Sequence, residues 1–210
     1  MTIVDVSVPI QDAMTVYRGN PPVRIRRALT LAKDGVNVSE LCLGSHTGTH
    51  VDAPSHFIKG GKGVDRLDLR RFIGPAWVAD LRAVRGGIGA DQLRQARIPK
   101  DTRRVLLRTS NSRLWHPARP FRTDFVYLAP DGADWMVERA VALVGIDYLS
   151  IEGYDVPGGP THKRLLGAGI PIVEGLDLFK VDPGRWQLVA LPLRIPDGDA
   201  GLTRAVLWKS

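Results

Sequence analysis

The sequence predicts an α/β protein: a single layered domain over residues 1–210 in which helices flank a mixed β-sheet. Three observations predict this fold class. The length of 210 residues is enough for one domain with a buried core. Hydrophobic residues make up 44% and charged residues 24% of the chain, as in ordinary globular proteins. Apolar stretches with the two-residue period of strands also alternate with segments of helical periodicity.

The N-terminal quarter predicts one strand followed by a β-hairpin. Apolar and polar residues alternate over residues 4–10, and YRGNPP then interrupts the pattern. Alternation resumes over residues 23–31 and 36–43, on either side of the turn KDG. Cys42 lies in the apolar stretch SELCLG, so we expect a buried thiol. As the single cysteine, it has no partner for an internal disulfide.

The middle of the chain predicts the interior of the sheet and two helices. Apolar runs predict strands over residues 76–81, 104–109 and 143–147. Amphipathic patterns predict helices over residues 90–96 and 131–143. This order of strands and helices is typical of an α/β fold.

The last quarter predicts one more helix and a closing hairpin. A short helix is expected over residues 162–168, capped by Thr161 and ended by Gly167 or Gly169. Residues 186–195 and 202–209 alternate on either side of PDGDAG, which predicts two antiparallel strands.

The net charge of +7 raises the question of a nucleic-acid partner. The arginines are scattered, however, with no long basic run and no aromatic-rich nucleic-acid motif, so we expect no nucleic acid. No apolar run approaches the roughly 20 residues that span a bilayer, so no membrane association is expected. The start MTIVDVSVPI does not resemble a signal peptide, and the expected location is cytoplasmic.

The stretch GSHTGTHVDAPSHF, residues 44–57, holds three of the five histidines of the chain. In an extended strand, four residues span about 13 Å, too far for His46 and His50 to share one metal. On a helix, Asp52 would be rotated by about 200° from His50. A bend at Gly48 removes both difficulties and predicts that the three side chains converge.

Two imidazoles and one carboxylate form a ligand set suited to Zn²⁺ or Mn²⁺. Pro54 stiffens the path to the third histidine, His56, which is then left beside the ligands as a proton carrier. The alternative is a group of hydrogen-bonded loop histidines without a metal. Three histidines and one aspartate within eleven residues favour the metal site.

The segment HTGTHVDAPSHF resembles the signature H-T-G-T-H-x-D-A-P-x-H-F of the metal-dependent cyclase family, which includes bacterial kynurenine formamidase and isatin hydrolase. The resemblance implies that His46, His50 and Asp52 hold a first metal and that His56 is the catalytic general acid/base. It also implies the family's swivelling β/β/α architecture and a homo-oligomer in which a neighbouring subunit helps to close the pocket.

The family also has a histidine and a glutamate of a second metal site in a downstream helix-to-strand segment. Here THKRLLGAGIPIVEGLDL supplies His162 and Glu174. Five side-chain candidates exceed the three protein ligands typical of a catalytic zinc but suit two ions per subunit, if Asp52 or Glu174 bridges them. The alternative is a surface histidine and a charge at a strand end.

The implied activity is hydrolysis of an amide C–N bond. A metal activates the water, and His56 takes its proton and returns it to the leaving nitrogen. The leading substrate is N-formylkynurenine, which would yield kynurenine and formate. The alternatives are a cyclic amide of the isatin type, another small acyl-nitrogen compound, or a metal-binding protein without catalysis, although a mere binder does not need His56.

Two segments depart from the formamidase pattern. VYRGNPP has Tyr17 where the formamidases have a substrate-stacking tryptophan, and Arg18 and Asn20 where they have proline and aspartate. GIDYLSIEGYD stands where they typically read G-I-D-T-P-S-V-D. Tyr17, Phe57 and Trp115 are the candidate aromatic residues of the substrate pocket, with ordinary packing as the alternative for each.

Overall fold

A computed structural model describes residues 2–116 and 120–209 of the chain. Within these residues thirteen strands form, with the following bounds: β1 Ile3–Asp5, β2 Arg24–Leu29, β3 Val38–Cys42, β4 His50–Asp52, β5 Ile73–Asp80, β6 Gly87–Ile88, β7 Arg104–Arg108, β8 Tyr127–Leu128, β9 Leu143–Ile146, β10 Ile172–Glu174, β11 Gly184–Val189, β12 Ala200–Leu202 and β13 Val206–Trp208. The helices are α1 Leu31–Asp34, α2 Ala90–Gln95, α3 Pro130–Glu138 and α4 Pro160–Gly167. The expected α/β class with a mixed sheet is confirmed.

The described strands include a nine-stranded sheet in the order β1-β13-β11-β5-β7-β9-β10-β4-β12. Its central strands β5, β7, β9 and β10 are parallel, and its other pairs are antiparallel. β12 and β13 are consecutive in the chain but lie near opposite ends of this order, so the sheet curls. The pairs β2-β3 and β6-β8 form two small sheets of their own.

Both faces of the central strands are buried, which explains their continuous apolar sequences. Along β7, Val105 and Leu107 pack on one face with residues of α2, α3 and α4. Leu106, between them, packs on the other face with Leu143, Val173 and other residues inside the curl. Alternate residues of one strand therefore serve two core clusters.

The position of β4 between β10 and β12 matters most for function. Its residue His50 pairs with Glu174 on one side and Leu202 on the other, and Asp52 pairs with Ile172 and Ala200. Two strands from the last forty residues of the chain thus fix the strand that carries two predicted ligands.

Two predicted elements are shorter in the structure. The first strand ends at Asp5, and beyond it Ser7 forms only an isolated bridge with Leu176. The helix expected over residues 131–143 ends at Glu138, because Ala140 adopts a left-handed conformation with φ 50° and Leu143 already begins β9.

Two expectations about single residues were wrong. Thr161 does not cap α4: Gly159 occupies the cap position, and the Thr161 hydroxyl donates to the carbonyl of Leu128 at 2.9 Å. Cys42 is exposed, because the expected β2-β3 hairpin forms but does not pack into the core of its own chain.

The closing hairpin is confirmed by the antiparallel pairing of β11 with β13. The end of the turn PDGDAG and Leu202 form β12, which pairs with β4 instead. No helix within residues 2–116 and 120–209 has both the length and the apolar character needed to cross a membrane.

Candidate metal centre

The predicted bend lies at Gly48, whose φ of 61° is left-handed. It turns the chain between His46 and His50 and brings their ring centroids to 4.9 Å. The bend packs against Gly175, which follows β10. The Thr49 hydroxyl ties the two segments together by donating to the Gly175 carbonyl at 2.6 Å.

The bend and β4 bring His46, His50 and Asp52 together. Asp52 Oδ1 lies 2.9 Å from His46 Nδ1 and 3.3 Å from His50 Nε2. His50 and Asp52 have no solvent exposure. Within the described part of the chain, His50 Nε2 and both Asp52 carboxylate oxygens have these close neighbours but no hydrogen bond of suitable geometry. Buried polar atoms without partners are costly, so these three atoms fit a cation that they would share.

A second group continues from the first through Asp52. His162 Nε2 lies 3.7 Å from Asp52 Oδ2 and 3.3 Å from Glu174 Oε1, while Glu174 Oε2 lies 3.5 Å from His50 Nε2. The two carboxylates therefore face both groups of imidazoles. This arrangement suits two cations bridged by Asp52 or Glu174.

Each of these three imidazoles has an oxygen acceptor near its outer nitrogen. His46 Nε2 lies 2.9 Å from Asp199 Oδ2, and His50 Nδ1 lies 3.0 Å from the Gly48 carbonyl. His162 Nδ1 lies 3.2 Å from Glu152 Oε2. Such partners fix the ring orientation and leave the inner nitrogen free for a metal.

Two acidic residues of the site, Asp199 and Glu152, were not predicted from the sequence. Asp199 lies in the turn PDGDAG, which reads as an ordinary hairpin turn. Glu152 is in GIDYLSIEGYD and stands where the formamidase pattern G-I-D-T-P-S-V-D ends in an aspartate, so the acidic residue shared at this position was the available signal.

The buried carboxylates of the site also favour a positive charge on the imidazoles beside them. Burial opposes a positive charge on His46, but its contacts with Asp52 and Asp199 outweigh burial and raise its pKa to about 9. Burial likewise opposes a charge on His162, whereas Glu152 and Glu174 raise its pKa to about 10. Without a metal, protons on these imidazoles balance the buried carboxylates, and a metal would displace them.

His56 ends the short 3₁₀ helix Pro54–His56 and lies beside these groups. Its ring centroid is 4.1 Å from that of His46, and its Nδ1 is 4.0 Å from Asp199 Oδ2. Burial lowers the pKa of His56, with further lowering by His46 and His162 against the opposing charge of Asp52. A neutral imidazole of this kind can accept a proton near neutral pH.

A cleft of about 410 Å³ leads to the site, and its lining includes Tyr17, His56 and Phe57. The Phe57 ring stacks on His162, with centroids 4.4 Å apart and planes at 16°. The ring centroid of Tyr17 lies 6.0 Å from that of Tyr154, which also lines the cleft. The volume suits a small aromatic molecule.

The structure does not bring Trp115 to this cleft. Its indole N–H donates to the Leu176 carbonyl at 3.1 Å, and its ring lies 5.6 Å from that of Tyr148. Trp115 lines a smaller cavity of about 250 Å³ together with His116 and Asp177.

Residues 4–153, more than half of the chain, match the family described as putative cyclase. The chain belongs to the putative cyclase family. The curated relatives of this cyclase-family chain include the kynurenine formamidase of Salinibacter ruber (strain DSM 13855 / M31), 37% identical over 209 residues, which are 99% of this chain and 97% of the relative. The kynurenine formamidase of Geobacillus thermodenitrificans (strain NG80-2) is 36% identical, over 98% of this chain and 97% of the relative.

Solved structures of the cyclase type share the fold over nearly the whole chain. A potential metal-dependent hydrolase with cyclase activity superposes with a TM-score of 0.85 at 34% identity, covering 98% of this chain and 96% of the other. Isatin hydrolase A from Ralstonia solanacearum gives a TM-score of 0.85 at 25% identity, covering 98% and 91%. The resemblance first noted in HTGTHVDAPSHF is confirmed.

Proposed function

We propose that the protein is a metal-dependent hydrolase of an amide C–N bond, with N-formylkynurenine as its leading substrate. The observation that carries the proposal is the group of unpartnered buried atoms on His50 and Asp52, set beside His56 in a cleft with aromatic walls. The kynurenine formamidases among the relatives support this choice of substrate.

The proposed ligands are His46, His50 and Asp52 for one ion and His162 and Glu174 for a second, with Asp52 or Glu174 between them. Zn²⁺ is the first choice and Mn²⁺ the alternative, because imidazole and carboxylate ligands suit both. When bound, a divalent cation lowers the pKa of a water molecule and polarises a carbonyl group.

His56 is the proposed general acid/base. As a neutral imidazole, it accepts a proton from the water that attacks the formyl carbon. It then donates that proton to the amide nitrogen as the C–N bond breaks. One water is consumed, and an amine and formate are released.

Tyr17 and Phe57 are the proposed walls for the aryl group of the substrate. The stack of Phe57 on His162 holds the Phe57 ring in a fixed orientation at the cleft. Offset stacking against such a wall would orient a flat aniline ring. Trp115 has no part in this proposal because its indole faces another cavity.

The first test is hydrolysis of N-formylkynurenine and isatin by zinc-loaded protein, alongside His56→Ala. We expect turnover of N-formylkynurenine, a loss of about 10²–10⁴-fold in kcat for His56→Ala, and retention of zinc by this variant. His116→Ala is the matched control, since His116 lies outside the cleft and pairs with Asp177. If His56→Ala loses its zinc, His56 is a ligand instead of the acid/base.

The same assay distinguishes the alternatives. If isatin is turned over and N-formylkynurenine is not, the protein is a hydrolase of cyclic amides, in line with the isatin hydrolase of the same fold. Zinc binding with neither substrate turned over would point to another acyl-nitrogen compound or to a non-catalytic metal binder.

We also propose a cytoplasmic homo-oligomer. The β2-β3 hairpin exposes large apolar side chains, including Leu31, Val36 and Leu41, and it borders an apolar groove of about 670 Å³. A second copy of the chain would cover both. The single free cysteine suits a reducing compartment.

A further inference from the structure

We propose that Glu152 is a positioning residue that fixes His162 for the second cation; the proposal rests on the metal site of the proposed function. Glu152 Oε2 lies 3.2 Å from His162 Nδ1. The exposed fractions of the two side chains are 9% and 6%, so little water competes for this contact. Among the ion pairs of the described residues, the other two carboxylates near His162 face its Nε2, and Glu152 alone faces its Nδ1.

The same carboxylate also holds the backbone at the start of α4. Glu152 Oε2 accepts the amide N–H of Thr161 at 3.0 Å and that of His162 at 3.1 Å. The helix needs such an acceptor because its cap residue, Gly159, has no side chain to offer. Glu152 therefore fixes both the backbone and the ring of His162.

This contact decides which nitrogen of His162 is available to a metal. With Nδ1–H donated to Glu152, the other nitrogen, Nε2, faces Glu174 and Asp52. A carboxylate behind a ligating imidazole fixes its tautomer and increases its basicity. Without Glu152, the ring could rotate and the wrong nitrogen could carry the proton.

The segment after β9 supports the whole second group. The Ile151 amide donates to Glu174 Oε1 at 2.7 Å, and the Glu152 amide donates to the Ser150 hydroxyl at 3.1 Å. Consecutive residues thus hold Glu174 directly and His162 through Glu152. The outer partner of His46, Asp199, differs from Glu152 in that its side chain is half exposed.

Glu152→Gln separates positioning of the ring from support of the helix. A glutamine oxygen can still accept the two backbone amides, but it carries no charge toward Nδ1–H. Glu152→Ala removes both functions. Asp155→Asn is the matched control, because it removes one carboxylate charge from an exposed position of the same loop.

The first measurement is zinc binding to the metal-free protein by competition with a chelator. We expect two ions in the wild type, and in Glu152→Gln a loss of affinity of about 10–100-fold for one of them. The metal-free Gln variant loses the ion pair with the charged His162 but keeps the two backbone hydrogen bonds, so its melting temperature should lie between those of the wild type and of Glu152→Ala. Glu152→Ala should weaken the same ion and also lower the melting temperature, and Asp155→Asn should change neither.

The second measurement is NMR of zinc-loaded protein with ¹⁵N-labelled histidine. We expect a downfield Nδ1–H proton from His162 in the wild type, shifted upfield in Glu152→Gln and absent in Glu152→Ala. If Glu152→Gln matches the wild type in zinc affinity and in this resonance, Glu152 only supports the helix and the inference is overturned. A wild type that turns over N-formylkynurenine would in that case leave the proposed function intact, whereas a wild type that binds no zinc overturns both.

Discussion

Asp147 is a fully buried carboxylic acid just beyond the end of β9. Its oxygens accept hydrogen bonds from the backbone amides and hydroxyls of Thr109 and Ser112, at 2.6–3.2 Å. These bonds hold the turn after β7, at the same edge of the sheet. Burial nevertheless dominates and raises the pKa of Asp147, against the lowering effect of the hydrogen bonds.

This raised pKa predicts how stability changes with pH. The folded protein favours the protonated form of Asp147. The contribution of this group to the free energy of unfolding is therefore complete at acid pH and is lost as the pH rises through the raised pKa. We expect the free energy of unfolding of the wild type, relative to Asp147→Asn, to decrease in urea denaturation as the pH rises above about 4, and to level off once the pH passes the raised pKa. Asp124→Asn is the control. Arg122 lowers the pKa of Asp124, so the contribution of Asp124 to stability should increase with pH instead of decreasing. A relative stability of Asp147 that rises with pH would contradict this account.

Gly175, which follows β10, lies against the bend that carries the metal centre. Its φ is 69°, and a Cβ there would lie only 2.1 Å from the Gly48 carbonyl oxygen. We expect Gly175→Ala to lower the free energy of unfolding by at least about 2 kcal/mol and to reduce bound zinc, because β10 and the bend must separate.

Gly60→Ala is the control for Gly175→Ala in urea denaturation and metal analysis. Gly60 has a similar φ of 74° but open space where its Cβ would be. Equal losses in the two variants would mean that backbone strain alone matters and that the contact with Gly48 does not.

The metal centre depends on short strands that cannot be recognised in the sequence. β4 and β10 have three residues each, too few for a recognisable period. The ligands could still be predicted, since His46, His50 and Asp52 lie close together in sequence and Gly48 supplies the necessary bend. Asp199 could not, because its contact with His46 joins residues 153 positions apart.

The β2-β3 hairpin shows that alternation does not always mean burial within the same chain. Its pairing follows from alternation and a turn, but alternation is normally taken to mean that one face is buried within the same chain. Here both strands are largely exposed, which is why the expected burial of Cys42 was wrong.

The hairpin also gives a test of the proposed assembly. We expect Leu41→Glu to convert the homo-oligomer into a monomer in analytical ultracentrifugation, because a charge on the hairpin would have to be buried between subunits. Leu69→Glu is the matched control: the side chains are similarly exposed, at 60% for Leu41 and 56% for Leu69, but Leu69 lies outside the hairpin. An unchanged sedimentation coefficient for Leu41→Glu would rule out the hairpin as the interface.

The fold class follows from composition and periodicity, whereas the curled topology of the sheet does not. Parallel central strands reveal themselves through continuous apolar sequences such as those of β7 and β9. Nothing local indicates that β12 leaves the closing hairpin to pair with β4 on the far side of the sheet. That pairing joins segments that lie far apart in the sequence.

Metal binding should therefore stabilise the molecule as a whole. β4 is held between β10 and β12, which lie far from it in the chain, and its His50 and Asp52 carry the unpartnered atoms. Zinc at 100 times its dissociation constant should add about 2.7 kcal/mol to the free energy of unfolding. Differential scanning calorimetry with zinc or with a chelator measures the effect, and His50→Ala should abolish most of it. Identical melting of the wild type under both conditions would argue against a structural contribution from the ion.

The pairing of β4 with β12 also constrains how the protein is made. The motif around His50 is synthesised first, whereas Asp199 follows His46 by 153 residues and β12 comes directly after Asp199. A nascent chain therefore displays metal-binding side chains long before it can arrange them. Correct loading with an ion must wait until residues 199–202 have been synthesised, and any ion captured earlier is held by a site that is still unfinished.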